Sequence, residues 1–407
     1  MKRRRLVVLT QGYPLEVSHG DGSFIRQEIA VLAERFDETL VFTYTTQQAS
    51  GIEALPESVE FGGTLAPTLT RWRLLGHLLR PTTFARTLRA VVAEVWHRRT
   101  HVKWPALYHS ILFGISLSQS PNLRSALDND EVETTVYSFW GLGPALCIPW
   151  LPSRIHRVVV RLCGYDLYEE RSGYIPLRPV VLGDADAVLS VSQHGRDYLI
   201  DRYHWLRADR VHASRLGTTD AGLPVDRDRG AGFVIVSCSA VIPLKRVERI
   251  LDALPLVTSR PLTWVHLGGG EDLQNLRDRV AAASTDATID LRGFVSHSDV
   301  VEFYRLNQVD LFLNVSTTEG IPVSVMEAMS FGIPIVATDV GGTSEIVGAD
   351  KGSGVLLDPD FLDTDLAAAI DSVLQHRASY DSRRTWEQLS DADENARLAA
   401  QIIDATD

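Results

Sequence analysis

Two glutamates, Glu319 and Glu327, carry the strongest chemical signal in the sequence. They lie in a stretch that reads as a buried strand (311–315), a loop, a helix and a second strand (335–339). Pro322 suits the first turn of that helix, whose N-terminus offers unpaired N–H groups and partial positive charge to a phosphate. The carboxylates would repel a phosphate, so we expect them to accept hydrogen bonds from sugar hydroxyls. The stretch therefore predicts a site for a nucleotide that carries a sugar.

The residues around these glutamates resemble a known signature. The matching segments are 319–322 (Glu-Gly-Ile-Pro), 327–329 (Glu-Ala-Met), 332–337 (Gly-Ile-Pro-Ile-Val-Ala) and 341–342 (Gly-Gly). This pattern is similar to that of retaining glycosyltransferases of family 4, in a branch found among bacterial envelope and exopolysaccharide enzymes. Without the Gly and Pro frame, the two acids would read as ordinary solvated residues.

The resemblance implies the fold class. It predicts an α/β protein with the GT-B fold: two doubly wound Rossmann-like domains facing across a cleft, with a C-terminal helix crossing back to the N-domain. A chain of 407 residues is long enough for two such cores. We expect an acceptor-binding domain at 1–218 with a basic helical insertion at about 65–105, a nucleotide-sugar-binding domain at 219–385, and a last helix at 386–407 that packs on the first domain.

The same resemblance assigns the donor site. Glu327 would bind the ribose hydroxyls, Glu319 a hydroxyl of the donor sugar, and the main chain at Phe294 the base. Backbone groups that would approach the diphosphate, ribose or sugar belong to Gly22, Gly268, Gly269, Gly270, Gly320, Ile321, Pro322 and Val323. For Gly20 and Gly22, which lie in a glycine-rich turn before a predicted helix, a plain turn is an equal alternative.

The predicted catalytic residues are Lys245, Arg246 and Glu319. A departing nucleoside diphosphate needs positive charge at its phosphates, and such electrostatic stabilisation is usually the largest catalytic contribution. Lys245 and Arg246 stand where the first helix of the second domain is expected to begin. The family has an arginine five residues before this lysine, where this sequence has Ala240. We expect Arg246 to supply the missing charge; a solvated basic pair is the alternative.

An acceptor or sugar pocket is expected where a predicted strand of the first domain runs into a polar loop. Its four expected residues are Arg161, Cys163, Asp166 and Tyr168. The family motif His-Gly-x-Asp reads Cys-Gly-Tyr-Asp at 163–166 here. A thiol does not replace an imidazole as a donor of similar reach. We interpret Cys163 as a small pocket-lining residue in preference to a nucleophile, which would need a lowered pKa.

Charge and composition restrict the partners. The net charge of −12 argues against general nucleic-acid binding. Between Thr64 and Ser110, however, eight basic residues face one acid, Glu94. The segment reads as helical with apolar faces, a composition typical of contact with an anionic membrane surface, and an insertion with a core-facing apolar side is the alternative. Three separated cysteines exclude a thiolate zinc cluster, and we expect neither a metal nor another cofactor.

We expect a cytoplasmic protein, peripheral on the inner face of the plasma membrane, that transfers sugar from a UDP- or GDP-sugar to a sugar or lipid-linked acceptor. Two alternatives stay open: a catalytically silent partner with the same fold, which Ala240 and Cys163 favour, and a nucleotide-sugar epimerase. A glycosidase with Glu319 and Glu327 as its acid pair is disfavoured.

Overall fold

The computed structural model describes residues 2–16, 22–66, 71–98, 101–225 and 232–405, and the chain divides into two compact units. The first unit comprises Met1–Ser214 together with Ala396–Asp407, and the second comprises Arg215–Asn395. Each unit is built around its own parallel sheet.

Short runs rich in Val and Leu form the sheet of the first unit. Its strands are β1 (Arg3–Thr10), β2 (Glu38–Thr43), β3 (Val59–Thr64), β4 (Val132–Ser138), β5 (Arg157–Leu162), β6 (Ala187–Ser190) and β7 (Val211–Ala213). They are arranged in the order β3-β2-β1-β4-β5-β6-β7, so the strand order reverses between β1 and β4. Helices cover the sheet, and Leu6 to Leu9 of β1 are completely buried, as expected for a parallel sheet.

The helices of the first unit include the predicted basic insertion, which forms α2 and α3. They are α1 (Gly22–Ala33), α2 (Arg71–Leu78), α3 (Pro81–Arg98), α4 (Trp104–Ser118), α5 (Pro121–Leu127), α6 (Gly164–Leu167), α7 (Glu169–Ser172), α8 (Arg178–Gly183) and α9 (Gln193–Arg202).

The second unit has a six-stranded parallel sheet. Its strands are β8 (Phe233–Cys238), β9 (Leu262–Leu267), β10 (Thr288–Leu291), β11 (Leu311–Asn314), β12 (Ile335–Thr338) and β13 (Gly354–Leu357). The order is β10-β9-β8-β11-β12-β13, which reverses between β8 and β11. The remaining helices are α10 (Glu248–Ala253), α11 (Leu273–Ala282), α12 (His297–Leu306), α13 (Val323–Ser330), α14 (Asp363–Gln375), α15 (Ser382–Leu389) and α16 (Ala392–Ile403).

The end of the chain returns to the first unit, as the predicted fold requires. Arg157 at the start of β5 donates a hydrogen bond to the carbonyl of Ile402 at 3.1 Å. Arg4 in β1 forms an ion pair with Asp404. These contacts attach the end of the chain to β1 and β5, the two strands on either side of β4.

Three strands and one helix boundary differ from the sequence prediction. The sequence does not predict β3, because its adjacent glycines, Gly62 and Gly63, are unfavourable in a strand. It also misses β7, which has only three residues, and β13, which has four. The helix expected from Lys245 begins at Glu248, because a 3₁₀ turn over Pro243–Lys245 and a left-handed backbone at Arg246 precede it.

Candidate active site

Lys245 and Glu319 meet at the carboxyl edge of the second sheet. Lys245 follows β8 and Glu319 follows β11, the two strands between which the strand order reverses. Lys245 Nζ donates to Glu319 Oε1 at 2.5 Å, and the side chains are 20% and 8% exposed. Asn314 Nδ2 lies 3.4 Å from the same oxygen. Doubly wound sheets bind ligands at this switch point, so a cation and an acid are positioned where a charged ligand would enter.

Arg246 has a different set of partners from the one that the sequence predicts. Its Nε donates to the carbonyl of Val315 at 2.7 Å, and its terminal nitrogens donate to the carbonyls of Ser316 at 3.2 Å and Pro359 at 2.8 Å. The guanidinium also lies 5.0 Å from the ring centroid of Phe361. Its donors thus join the loop after β8 to the segments at 315–316 and 359, and the expected contact of Arg246 with a phosphate stays a prediction.

The glycine loop after β9 packs against the loop that contains Phe294. The N–H of Gly268 donates to the carbonyl of Gly293 at 2.9 Å, and a Cβ built on Gly268 would lie 1.8 Å from a carbonyl of the loop after β8. A Cβ on Gly269 would lie 3.1 Å from the backbone nitrogen of Phe294, while Gly270 has a φ of +159°. The Phe294 side chain is 82% exposed. The two predicted nucleotide loops are therefore adjacent, with an aromatic ring free to contact a base.

Two glycines of the loop after β12, Gly341 and Gly342, contact the backbone between Glu319 and α13. Gly342 N–H donates to the carbonyl of Gly320 at 2.9 Å. Gly341 has a φ of +56°, and a Cβ there would lie 1.8 Å from the carbonyl oxygen of Glu319. Gly320, Ile321 and Pro322 are buried and Val323 is half-buried. The close approach of Gly341 thus fixes the segment that carries Glu319.

Pro322 is the N-cap of α13 and not a residue of its first turn. Its φ of −77° and ψ of 105° are extended, and the helix begins at Val323. Val325 and Met326 donate to the Pro322 carbonyl. Glu327 consequently lies about one turn into the helix.

Glu327 is held by a histidine that the sequence analysis does not identify. His297 Nε2 lies 2.7 Å from Glu327 Oε1, with side-chain exposures of 57% and 13%. Burial, and after it the charge of Glu327, raise the pKa of the nearby Cys238 thiol to about 12, while Lys245 opposes the rise. Lys245 and Glu327 therefore both influence the pKa of the same thiol. His297 is the first residue of α12, directly after the loop that contains Phe294. This position beside a predicted nucleotide loop is the sequence feature that could have identified it.

Arg161 is a buried structural residue, which corrects its assignment to an acceptor pocket. Its side chain has no exposed surface and forms a short ion pair with Glu28 of α1 at 2.5 Å. It also donates to Tyr137 Oη at 2.7 Å and to the Ser214 carbonyl at 2.6 Å. These buried partners use the donors of the guanidinium, so Arg161 links α1, β4 and β5.

Asp166 organises the loop after β5. Its carboxylate accepts hydrogen bonds from the N–H groups of Gly141 at 2.5 Å and Cys163 at 2.7 Å, and it has no exposed surface. Burial raises the pKa of Asp166 to about 6, while nearby Arg178 opposes the rise. Cys163 is 6% exposed and is the N-cap of α6. The expected acceptor contact by Asp166 is corrected to a loop-forming role.

Tyr168 brings a second unpredicted histidine to the carboxyl edge of the first sheet. Tyr168 Oη lies 2.9 Å from Nδ1 of His194, which is exposed in the first turn of α9. Tyr168 itself is 7% exposed. His194 follows β6, whereas the motif histidine of the family would follow β5. The structure thus places one exposed imidazole at this edge, on the neighbouring strand.

Two further sequence expectations concern the first unit. Gly22 is the first residue of α1, and Gly20 lies outside the described residues. On α3, one face carries apolar side chains that are between 39% and 76% exposed: Phe84, Leu88, Val92, Val95 and Trp96. Among the described residues, no helix has both the length and the apolar content that a membrane crossing requires.

Comparison with known proteins agrees with this geometry. Residues 227–397 match the family model described as glycosyl transferases group 1. The lipopolysaccharide core biosynthesis mannosyltransferase LpsB of Rhizobium meliloti (strain 1021) is 37% identical over 149 residues, 36% of this chain and 38% of that protein. The O-antigen biosynthesis glycosyltransferase WbnH of Escherichia coli is 29% identical over 137 residues, 33% of this chain and 36% of that protein. The matches thus span well under half the length of these relatives.

Solved structures match almost the whole chain. The apo form of the lipopolysaccharide outer core galactosyltransferase WaaB has a TM-score of 0.62 at 15% identity, with 98% of this chain and 99% of that chain covered. Anabaena Alr3699/HepE, solved in complex with UDP-glucose, has a TM-score of 0.63 at 17% identity, with 98% of both chains covered. The predicted α/β GT-B fold is confirmed.

Proposed function

We propose that the protein is a retaining glycosyltransferase that uses a UDP- or GDP-sugar and transfers the sugar to an envelope polysaccharide or lipid-linked acceptor. The contact between Lys245 and Glu319 at the switch point of the second sheet carries the proposal. A cation and a buried acid are held together there, beside the glycine loop and the start of α13. The group 1 match over residues 227–397 and the named relatives support the same reaction class.

Lys245 is assigned the diphosphate of the donor. Its ammonium would exchange part of its contact with Glu319 for a phosphate oxygen and so stabilise the leaving nucleoside diphosphate. The N–H groups in the first turn of α13 lack intrahelical acceptors and would add positive potential at the same place. Because these groups supply the charge, the proposed mechanism uses neither a metal ion nor another cofactor.

The acids and the aromatic ring are assigned to the rest of the donor. Glu319 would accept a hydrogen bond from a sugar hydroxyl, and Glu327 would accept from the ribose through the oxygen that His297 does not contact. The main chain at Phe294 would bind the base, and its exposed ring adds a stacking surface. In the first unit, Tyr168 and His194 are the assigned acceptor contacts.

The exposed apolar face of α3 supports a peripheral position on the inner face of the plasma membrane. Arg86 and Arg89 lie on the same helix as this face, and that combination of charge and apolar surface fits an anionic bilayer. Sedimentation with vesicles containing anionic lipid should retain the protein, and a Phe84→Ser, Trp96→Ser double variant should stay in the supernatant. Equal recovery of both proteins from the supernatant would reject the membrane contact.

A catalytically silent GT-B partner is the second candidate, and Arg246 favours it. Because Arg246 is bound to three carbonyls, it leaves Lys245 without the second cation of the family pattern. Ala240 and Cys163 are the other departures from that pattern. Such a partner would bind a nucleotide sugar without cleaving it.

Donor hydrolysis separates the two candidates. An active enzyme incubated with UDP- or GDP-sugars in the absence of acceptor should slowly release nucleoside diphosphate, and Glu319→Ala should abolish that release. Glu302→Ala is the matched control, because Glu302 is an exposed glutamate of the same unit that pairs with Arg305. Binding without any release, in the presence of candidate acceptors too, would favour the silent partner.

A further inference from the structure

A basic cavity lies in the first unit, beside the segments that lead into two strands of its sheet. It is formed by the start of α3, the end of α4, and the segments that precede β4 and β5, and its volume is about 460 Å³. Four arginines and three hydroxyl-bearing residues line it: Arg80, Arg86, Arg124, Arg154, Thr82, Thr83 and Ser153. All of these belong to the first unit, so the cavity is separate from the Lys245 site.

Within the part of the chain that the structure describes, most of the positive charge in the cavity has no carboxylate partner. The two acids of the lining, Asp128 and Asp130, both form ion pairs with Arg154. Arg124 donates to the amide oxygen of Gln119 at 3.0 Å, and Arg86 donates to a backbone carbonyl. Among the described residues, the other three guanidinium groups therefore have no carboxylate partner.

Of the four arginines that line the cavity, Arg80 is the one most available to a ligand. Its side chain has no hydrogen-bond acceptor among the residues that the structure describes, and it is exposed at the cavity mouth. Arg80 and Arg124 both act on His77, whose pKa is lowered by burial and then by these two charges. The cations thus create a positive potential that reaches beyond the cavity lining, which a bound anion would offset.

We propose that this cavity binds the phosphate group of a phosphate ester. Guanidinium groups match phosphate oxygens in bidentate geometry, and Thr82, Thr83 and Ser153 add hydroxyl donors of the kind that complete phosphate sites. The ligand chemistry is a phosphate on an organic group. The source is either an anionic lipid headgroup or a soluble phosphate ester.

The surroundings of the cavity favour an amphiphilic ligand. A second cavity of about 500 Å³ shares three lining residues with the first: Arg86, Pro152 and Ser153. Its other lining residues include Ala85, Ile148, Leu151 and Ile155. Outside it, α3 carries the exposed apolar face that begins at Phe84. A phosphate in the basic cavity would have apolar surface within reach on the same helix.

Calorimetry and vesicle sedimentation test the site on the full chain without nucleotide sugar. Glycerol 3-phosphate is the soluble probe, and phosphatidic acid in phosphatidylcholine vesicles is the lipid probe, with pure phosphatidylcholine as background. An Arg80→Gln, Arg124→Gln double variant should weaken binding at least tenfold. Arg80→Gln alone should weaken it less without disturbing the fold, because Arg80 has no described partner to lose. Arg207→Gln, an exposed arginine that pairs with Asp209, is the control.

Each result of these experiments either supports the proposed phosphate site and identifies its ligand, or overturns the proposal. Loss of vesicle binding in the double variant, with Arg207→Gln unchanged, identifies lipid phosphate as the ligand. Loss of glycerol 3-phosphate binding with vesicle binding unchanged supports the site and identifies a soluble ester as the source. Binding of neither probe by the wild-type chain, or an equal effect of Arg207→Gln, overturns the proposal. Donor hydrolysis, measured on the same variants, stays at the wild-type rate in every case and so keeps this test separate from that of the proposed function.

Discussion

Lys245 Nζ lies 2.5 Å from Glu319 Oε1 although 74 residues separate them in the sequence. The parallel pairing of β8 with β11 brings their two loops together. Glu319 is nearly buried, and a buried carboxylate is stable only when it is paired or hydrogen-bonded. The same ammonium is therefore a structural partner of Glu319 in the free protein and the candidate ligand of a phosphate in the complex.

Replacement of Arg246 should reduce stability more than turnover. Arg246→Gln removes donors to three carbonyls, so we expect the free energy of unfolding to fall by about 1–3 kcal/mol. Donor hydrolysis at a temperature where the variant is folded should stay within a few-fold of wild type. Denaturant unfolding and hydrolysis assays measure both. A hundredfold loss of turnover at unchanged stability would restore Arg246 to the catalytic site.

A side chain at Gly341 should displace Glu319. Gly341→Ala would place a Cβ 1.8 Å from the Glu319 carbonyl at a φ of +56°, so we expect a clear loss of stability and of donor binding. Gly183→Ala is the matched control, because a Cβ there meets nothing within 4 Å. Thermal unfolding of the two variants should differ by several degrees. Equal melting temperatures would show that the loop can move without cost.

The pair of Glu327 and His297 should control nucleotide affinity. A hydrogen bond to a charged group is worth about 1.5–3 kcal/mol, so Glu327→Gln should weaken nucleoside diphosphate binding about 10- to 100-fold. His297→Ala should have a smaller effect, because it removes only the group that orients Glu327. Titration calorimetry measures both, with Glu302→Gln as the control. Unchanged affinity in Glu327→Gln would remove this residue from the nucleotide site.

Stability should fall in mild acid because of His266. Burial lowers the pKa of this imidazole from 6.5 to about 4. Between these pH values the unfolded chain binds a proton that the folded chain does not, so the free energy of unfolding decreases as the pH falls from about 6.5 to 4. The full contribution is about 3 kcal/mol. His266→Asn should flatten this part of the pH profile in urea unfolding, whatever its effect at neutral pH. An unchanged slope would contradict the assignment.

The sequence predicts the parts of this protein that depend on local patterns. Strands such as β8 and β9, the turn glycines Gly268 and Gly341, and the acids at 319 and 327 follow from hydrophobic runs and fixed spacing. Their resemblance to family 4 enzymes then gives the fold, because that signature spans a strand, a helix and a second strand.

The remaining features depend on contacts between distant segments. Arg161 could not be recognised as buried from its own strand, since its partner Glu28 lies 133 residues away. Arg246 donates hydrogen bonds to the carbonyls of residues 315, 316 and 359, which no local pattern relates to it. His297 and His194 likewise gain their positions only when neighbouring loops meet at a sheet edge.

The most direct test of the central claim is a thermal-shift and calorimetric comparison of wild type with Lys245→Gln against UDP-, GDP- and ADP-sugars. The wild-type chain should be stabilised by one of these donors, and Lys245→Gln should lose most of that affinity and lower donor turnover roughly 10²- to 10³-fold. Lys245→Arg should retain part of both. Lys351→Gln, the control lysine of the same unit, which pairs with Asp350, should behave as wild type. Equal donor binding by wild type and Lys245→Gln, or no response to any nucleotide sugar, would contradict the assignment of this edge as the donor site.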